Sequence, residues 1–189
     1  MRNSTTHPIY VNWISIEGDK GRIGMTLCPG KYQPVAMTGS WDRQLSVDIA
    51  DLVKREKADR LVSLITNDDM VILRVQDLPN EVAKQALDWN HLPFEDGAAP
   101  DDDWLAAAEP VFHHLLTSIP GGERVVVHCM GGLSRAGTFV AIYLWIRGQS
   151  MIEAIERVRK ERGSPEAINL IQEKFLLELE QRGESYFKC

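Results

Sequence analysis

The chain has 189 residues, of which 44% are apolar and 25% charged, and its formal net charge is −6. This composition is typical of a globular protein, and the length favours one domain, which we assign to residues 1–189 with a core of about residues 27–181. The acidic balance argues against nucleic acid as a partner, because affinity for nucleic acid depends largely on basic patches.

Three cysteines, Cys28, Cys129 and Cys189, are too few and too far apart to form a disulfide framework or a zinc site. We therefore predict no metal, no cofactor and a reducing, cytoplasmic location, with Cys189 as a free thiol. The N-terminus lacks the apolar stretch of a signal peptide. The longest apolar run, residues 136–146, is too short to cross a bilayer, so no membrane partner is expected.

Strands and helices alternate along the chain. Apolar and β-branched runs predict strands at residues 9–16, 25–27, 60–66, 89–94 and 124–128. Helical spacing of apolar residues predicts helices at about residues 42–57, 80–87, 104–119, 135–147 and 152–158, and a last helix that Pro165 opens. Asn67 is expected to cap a helix, and Ile168, Ile171, Phe175 and Leu179 are expected to share one face of the last helix. The order predicts an α/β fold with a mostly parallel central sheet flanked by helices.

The segment from His128 to Arg135 joins a buried strand to a helix, with Gly131 and Gly132 in between. Ligands of parallel sheets bind beyond the carboxyl ends of the strands. A glycine-containing loop that leads into a helix directs backbone N–H groups at one point, where they bind an anion. The same positive environment stabilises a thiolate at Cys129.

These residues predict phosphate chemistry. Cys129 is the expected nucleophile, which attacks phosphorus and forms a phospho-cysteine intermediate. Arg135 carries a planar fork of donors that can grip two phosphate oxygens while the loop amides stabilise the others. The expected phosphate-binding residues are Met130, Gly131, Gly132, Leu133, Ser134 and Arg135.

The stretch His-Cys-Met-Gly-Gly-Leu-Ser-Arg-Ala-Gly-Thr, residues 128–138, resembles the signature of the protein tyrosine and dual-specificity phosphatases. It is most similar to the kinase-associated phosphatase, or cyclin-dependent kinase inhibitor 3, group. The likeness extends upstream through residues 27–31 and 92–101 and covers about residues 27–145. It implies the compact fold of a dual-specificity phosphatase and the removal of phosphate from proteins.

A general acid is expected in the acidic loop at residues 95–103, where it would protonate the leaving oxygen and later activate water. The acidic residues of this loop are Glu95, Asp96, Asp101, Asp102 and Asp103. Of these, Asp102 or Asp103 is expected to cap the helix that begins near Trp104. The resemblance selects Asp96, because Asp96-Gly97-Ala98-Ala99-Pro100 matches the Asp-Gly-x-x-Pro stretch that carries the acid in the family.

The resemblance gives His128 a supporting role, in which it orders the loop and favours the thiolate without transferring a proton. It also identifies a departure at Ala136. The commoner pattern has Ser or Thr directly after the arginine, and that hydroxyl steadies the thiolate as a leaving group. We therefore expect slower breakdown of the phospho-cysteine in this chain.

The loop at residues 130–134 contains no Lys or Arg, which favours phosphorylated tyrosine, serine or threonine in proteins, or a small phosphate ester, over highly charged inositol lipids. Three alternatives stay open. A catalytically weak, phosphate-binding pseudophosphatase would keep the fold without turnover. A rhodanese-type sulfurtransferase also uses a loop cysteine but needs no acid loop. An arsenate reductase uses similar oxyanion chemistry with a redox partner cysteine.

Overall fold

A computed structural model of the protein describes residues 1–36 and 39–183, so Cys189 lies outside the described residues. A five-stranded sheet with the order β1-β2-β7-β5-β6 forms its centre. Its strands are β1 (Asn12–Ile14), β2 (Arg22–Thr26), β5 (Arg60–Ser63), β6 (Asp88–His91) and β7 (Arg124–His128). Only β1 runs antiparallel to its neighbour in this sheet. The short strands β3 (Tyr32–Gln33) and β4 (Trp41–Asp42) pair separately.

The middle strand β7 sets the position of the loop that follows it. Val125, Val126 and Val127 are fully buried, as β-branched residues are when both faces of a parallel sheet are covered. His128, the last residue of β7, lies in register with Thr26 at the end of β2 and with Ser63 at the end of β5. The three segments that follow these strands therefore leave the sheet side by side at one edge.

Helices cover both faces of the sheet. They are α1 (Leu45–Lys54), α2 (Asn67–Ile72), α3 (Leu78–Lys84), α4 (Asp102–Gly121), α5 (Ser134–Ile146), α6 (Met151–Arg162) and α7 (Leu170–Arg182). Apolar residues of α1, α2 and α3 pack with Val126 in one core, and those of α4 to α7 pack with Val125 and Val127 in the other. Helix α5 is buried from Arg135 to Trp145, which explains its nearly uniform apolar character. Among the described residues, no helix has the length and apolar character needed to cross a bilayer.

The predicted fold class is confirmed, and β7 has the predicted bounds. The structure differs near two helix starts. Thr66, rather than Asn67, caps α2, because its hydroxyl accepts from the Asp69 N–H while the Asp69 carboxylate accepts from the Thr66 N–H. Pro165 opens a short 3₁₀ turn (Pro165–Ala167), and α7 begins five residues later, at Leu170. Ile171 is consequently exposed instead of sharing the buried face of α7.

Candidate active site

The loop between β7 and α5 is tightly packed against the end of β2. Gly132 has a φ of +67°, and a Cβ atom there would lie 2.3 Å from the carbonyl of Thr26. A side chain would therefore be strained both by conformation and by the neighbouring backbone. This is the physical reason for glycine at residue 132.

The carbonyl groups of the loop are held outward by donors from elsewhere. The backbone N–H of Cys28 and the Lys31 ammonium both donate to the Met130 carbonyl, at 3.3 Å each. The Arg162 guanidinium donates to the carbonyls of Gly131 and Gly132, at 3.1 and 2.7 Å. Because the C=O and N–H of one peptide group point in opposite directions, the amides that follow these carbonyls point inward. The loop thus presents a cluster of N–H donors to its own centre.

A cavity of about 530 Å³ opens over this loop. The Cys129 side chain is almost completely buried at 2% exposure, yet it lines the cavity. Most of the predicted site residues are brought together here, and residues from two other segments join them. The lining residues are Lys31, Gln33, Ala36, Asp96, Cys129, Met130, Gly131, Leu133, Ser134, Glu166 and Asn169.

Arg135 is completely buried beneath the loop. Of its three side-chain nitrogens, only Nη1 makes hydrogen bonds to the described residues. Its Nη1 donates to the Asp69 carboxylate at 2.6 Å and lies 3.0 and 3.2 Å from the carbonyls of Phe94 and Leu64. Among the described residues, Nε and Nη2 have no hydrogen-bond partner. Nε lies 3.2 Å from Asp96 Oδ1, outside hydrogen-bonding alignment. Unpaired donors on a buried cation are costly, and an oxyanion would satisfy both.

Asp69 was missed by the sequence analysis. It is buried at the start of α2, where one carboxylate caps the helix and also binds Arg135. The ion pair with Asp69 fixes the orientation of Arg135, and Nε on the other edge of the guanidinium faces the Asp96 carboxylate. The sequence does contain a pattern that points to Asp69 as part of a helix start, because Thr66-Asn67-Asp68-Asp69 follows a strand with the spacing of a capping box. That spacing identifies a helix start but says nothing of the arginine, which lies 66 residues further on.

The acidic loop places Asp96 and Asp101 in different roles. The Asp96 side chain is 54% exposed and lines the cavity with Cys129. Asp101 caps α4, since its Oδ1 accepts from the Trp104 N–H at 2.8 Å. The expectation that Asp102 or Asp103 caps this helix was wrong. Both residues belong to the first turn of α4, where their negative charges interact favourably with the positive end of the helix dipole.

His128 lies in a chain of buried hydrogen bonds below the loop. Its Nδ1 is 3.2 Å from the Cys129 carbonyl, which can only accept, so Nδ1 carries the proton. Burial lowers the pKa of His128 to about 4, so the ring is neutral and Nε2 accepts from the Ser63 hydroxyl at 2.6 Å. Ser63 in turn accepts from Trp89 Nε1 at 2.8 Å. His128 therefore holds the backbone of Cys129 through a hydrogen bond rather than a charge.

Acidification should destabilise the wild type more than a His128→Asn variant. The pKa of His128 falls from 6.5 to about 4 on folding, so the unfolded chain binds the extra proton between these values. The contribution of the neutral His128 to the free energy of unfolding is fully present above the upper pKa and is lost as the pH falls to the lower one. The total loss is on the order of 3 kcal/mol. Urea unfolding across this range would measure it, with exposed His7→Asn as control. Parallel curves for wild type and His128→Asn would contradict a neutral His128.

Lys31 is a second residue that the sequence analysis did not assign to the site. Its side chain is nearly buried, and its ammonium binds Gln33 Oε1 at 2.9 Å and lies over the Trp41 ring. Burial lowers the pKa of Lys31, while an ionised thiol at Cys129 would oppose that shift. For Cys28 itself, burial raises the pKa, so this thiol stays protonated. A basic residue thus reaches the loop from outside it, although residues 130–134 contain none.

Comparison with known proteins identifies related sequences and folds. A family model described as the DSP-PTPase phosphatase domain of the Swiss Army Knife proteins matches residues 43–178. Mouse cyclin-dependent kinase inhibitor 3 is 24% identical over 183 residues, which cover 95% of this chain and 82% of that protein. Mouse protein tyrosine phosphatase type IVA 3 is 36% identical over 80 residues, which cover 40% of this chain and only 42% of that relative.

Solved structures share the fold. Kinase-associated phosphatase, with its catalytic-site cysteine changed to serine, superposes with a TM-score of 0.81 at 22% identity, covering 95% of this chain and 98% of that one. The phosphatase PTPMT1, in complex with PI(5)P, superposes with a TM-score of 0.66 at 22% identity, covering 90% and 95%. With the family model spanning most of the sheet, the loop at residues 128–135 and the helices around it, this chain belongs to the dual-specificity and protein tyrosine phosphatase superfamily, near cyclin-dependent kinase inhibitor 3.

Proposed function

We propose that this protein hydrolyses phosphate monoesters of tyrosine, serine or threonine in proteins, through a phospho-cysteine intermediate. The observation that carries the proposal is the edge of Arg135 on which Nε and Nη2 lack a hydrogen-bond partner, buried beside a cavity that Cys129 lines. Two buried donors and a ring of inward amides call for an oxyanion, and a thiol at the same place supplies a nucleophile. Residues 1–189 would form one phosphatase domain, and the free, buried thiols of Cys28 and Cys129 suit a cytoplasmic location.

The proposed reaction has two steps. In the first, the Cys129 thiolate forms a bond to phosphorus, the bond from phosphorus to the ester oxygen breaks, and Asp96 gives that oxygen a proton. In the second, Asp96 takes a proton from water, the water oxygen bonds to phosphorus, and the phosphorus–sulfur bond breaks to regenerate the thiolate. The inward amides and Arg135 would stabilise the equatorial oxygens in both steps, assisted by the nearby charge of Lys31.

The charges around the cavity favour a substrate with a single phosphate. Among the described residues that line the cavity, Lys31 is the one with a basic side chain, whereas Asp96 and Glu166 both bring carboxylates. A ligand with further phosphates would place them near these carboxylates without cations to receive them, so they would be repelled. A phosphorylated side chain in a protein carries one phosphate, which the loop and Arg135 can hold.

Hydrolysis of para-nitrophenyl phosphate, with and without vanadate, is the first test of the proposal. We expect vanadate-sensitive turnover, followed by activity on phosphotyrosine and phosphothreonine peptides above that on short-chain PI(5)P. Preference for PI(5)P would overturn the assignment of the substrate class. No turnover by folded, reduced protein would favour the pseudophosphatase, which would still bind phosphopeptides. Thiocyanate release from thiosulfate and cyanide, or arsenate-dependent thiol consumption, would instead identify the other two alternatives.

Replacing the proposed general acid should affect substrates according to their leaving group. We expect Asp96→Ala to slow hydrolysis of phenyl phosphate by about a hundredfold or more, because phenoxide then leaves unprotonated. Para-nitrophenyl phosphate should lose less, since its leaving group is more stable as an anion. The ratio of kcat/KM for the two esters measures the effect, and Asp103→Ala in the first turn of α4 is the matched control. An unchanged ratio in Asp96→Ala would place the acid elsewhere.

Restoring a hydroxyl after the arginine should speed turnover. Ala136 is completely buried, and Thr138 cannot substitute for a missing hydroxyl because its Oγ1 donates to the Ser134 carbonyl at 2.8 Å. We expect Ala136→Ser to raise kcat several-fold by stabilising the departing thiolate, with a smaller pre-steady-state burst relative to the steady rate. Ala141→Ser, buried on the same helix, controls for the cost of a hydroxyl in the core. A folded Ala136→Ser variant with unchanged kcat would contradict this expectation.

A further inference from the structure

The first turn of α7 has a double hydrogen-bonding role. Asn169 and Gln172 cap the helix reciprocally: the Gln172 N–H donates to Asn169 Oδ1 at 2.9 Å, and the Asn169 N–H donates to Gln172 Oε1 at 3.2 Å. This capping box uses only the oxygen atoms of the two side-chain amides. Both NH₂ groups are therefore left to bind something outside the helix.

Both NH₂ groups bind the acidic loop. Asn169 Nδ2 donates to the Gly97 carbonyl and Gln172 Nε2 to the Ala98 carbonyl, each at 3.0 Å. The two acceptors are consecutive residues that directly follow Asp96. Two adjacent bonds from one rigid helical turn fix both the position and the tilt of this short stretch of backbone.

The segment they hold is a turn that sets the direction of Asp96. The Ala98 N–H donates to the Glu95 carbonyl at 3.2 Å, and Gly97, the third residue of the turn, has a φ of +75°. This is the conformation that a type II turn requires at that position. Asp96 is the second residue of the turn and is half-exposed, with Arg135 as its charged neighbour. Packing therefore does little to place the Asp96 side chain, and its location in the cavity wall depends on the turn and on the contact of its carboxylate with Arg135.

Burial of Gln172 makes the loss of its contact with the loop energetically costly. The Gln172 side chain is completely buried, and both of its polar atoms are satisfied while the turn is in place. Withdrawal of the loop would leave a buried amide donor without an acceptor, which is more costly than the loss of an exposed hydrogen bond. The helix therefore favours the arrangement in which Asp96 lines the cavity with Cys129.

We propose that Asn169 and Gln172 are positioning residues that clamp the turn at residues 95–98 and so hold Asp96 over Cys129. This inference rests on the proposed role of Asp96 as the general acid. The capping box gives the last helix a function in the reaction, because the same two side chains that start the helix also place the acid. Asn169 also lines the cavity, whereas Gln172 is not among the lining residues.

The test uses substitutions that keep the capping box and remove the clamp. Asn169→Ser keeps an N-cap oxygen for the Gln172 N–H but has no amide to reach Gly97, and it adds no charge. Gln172→Glu keeps an acceptor for the Asn169 N–H and presents an oxygen to the Ala98 carbonyl. Ser150→Ala is the matched control, because it breaks the equivalent capping box of α6, for which the structure shows no bond to the acidic loop.

We expect Asn169→Ser and Gln172→Glu each to lower kcat/KM for phenyl phosphate by about tenfold, as misplacement of a reacting group does. Para-nitrophenyl phosphate should change little, since it depends less on the acid. In the Asp96→Ala background, Asn169→Ser should have no further effect on the ratio of the two substrates. Ser150→Ala should lower the melting temperature without changing that ratio.

Each outcome decides the matter. Equal losses on both substrates, or an effect that persists in the Asp96→Ala background, would show a structural role and overturn the clamp. If Asp96→Ala changes the ratio and Asn169→Ser and Gln172→Glu do not, the clamp fails and the proposed acid stands. If Asp96→Ala itself leaves the ratio unchanged, the proposed acid fails and the clamp fails with it.

Discussion

Cys129→Ser is expected to abolish turnover while leaving phosphate binding intact. A serine hydroxyl at this site does not ionise as a thiol does, so it is too weak a nucleophile to form the covalent phospho-enzyme intermediate. We therefore expect kcat to fall at least about a thousandfold. The amides of residues 131–133 and the unpaired edge of Arg135 remain in place to receive the anion. Hydrolysis of para-nitrophenyl phosphate measures the loss, and a rise in melting temperature with added phosphate measures the retained binding.

Cys28→Ala is the matched control for the nucleophile. Cys28 is as deeply buried as Cys129, but its Sγ contacts the Pro29 carbonyl and does not line the cavity. Its removal should lower stability, because it leaves a small void in the core, and should preserve turnover. Activity that survives Cys129→Ser and is lost in Cys28→Ala would contradict the assignment of the nucleophile.

Arg135→Lys should lower kcat/KM by about a hundredfold to a thousandfold, the effect of losing a preorganised donor that stabilises the transition state. Lysine keeps the positive charge but has a single nitrogen, whereas Arg135 uses Nη1 for Asp69 and has two further nitrogens, Nε and Nη2, without a hydrogen-bond partner. The lysine can serve the carboxylate or the phosphate, but not both. The kinetics of para-nitrophenyl phosphate hydrolysis and the loss of phosphate-induced thermal stabilisation would both report the change.

Arg147→Lys provides the comparison on the same helix. Arg147 ends α5 and makes a two-pronged ion pair with Asp19, at 2.7 and 3.0 Å, remote from the residues that line the cavity. Replacing it should lower the melting temperature and leave kcat/KM unchanged. An Arg135→Lys variant with wild-type kcat/KM, beside an inactive Cys129→Ser variant, would show that the arginine does not hold the phosphate.

The amino-acid sequence by itself determined the centre of the fold and of the site. A β-branched run at residues 124–128, two glycines and a helix directly afterwards specify a buried strand and an anion-binding loop, because each feature is local. The place of Cys129 at the strand end follows from chain order alone. The glycines of the loop indicated backbone conformations closed to other residues, whereas the close approach of Gly132 to Thr26 is seen only in the folded chain.

Only the tertiary structure decided which distant residues complete the site. Asp69, Lys31 and Arg162 reach the loop or its arginine from separate segments, and no periodicity links them to residues 129–135. Geometry also separates Asp96 from Asp101, because Asp101 caps a helix while Asp96 lines the cavity. Local patterns indicate what a residue does within its own turn or strand, as the capping-box spacing of residues 66–69 does. The contacts of Asp69, Lys31 and Arg162 with the loop and with Arg135 arise from the packing of whole helices and strands, and for that reason they appear only when the chain is folded.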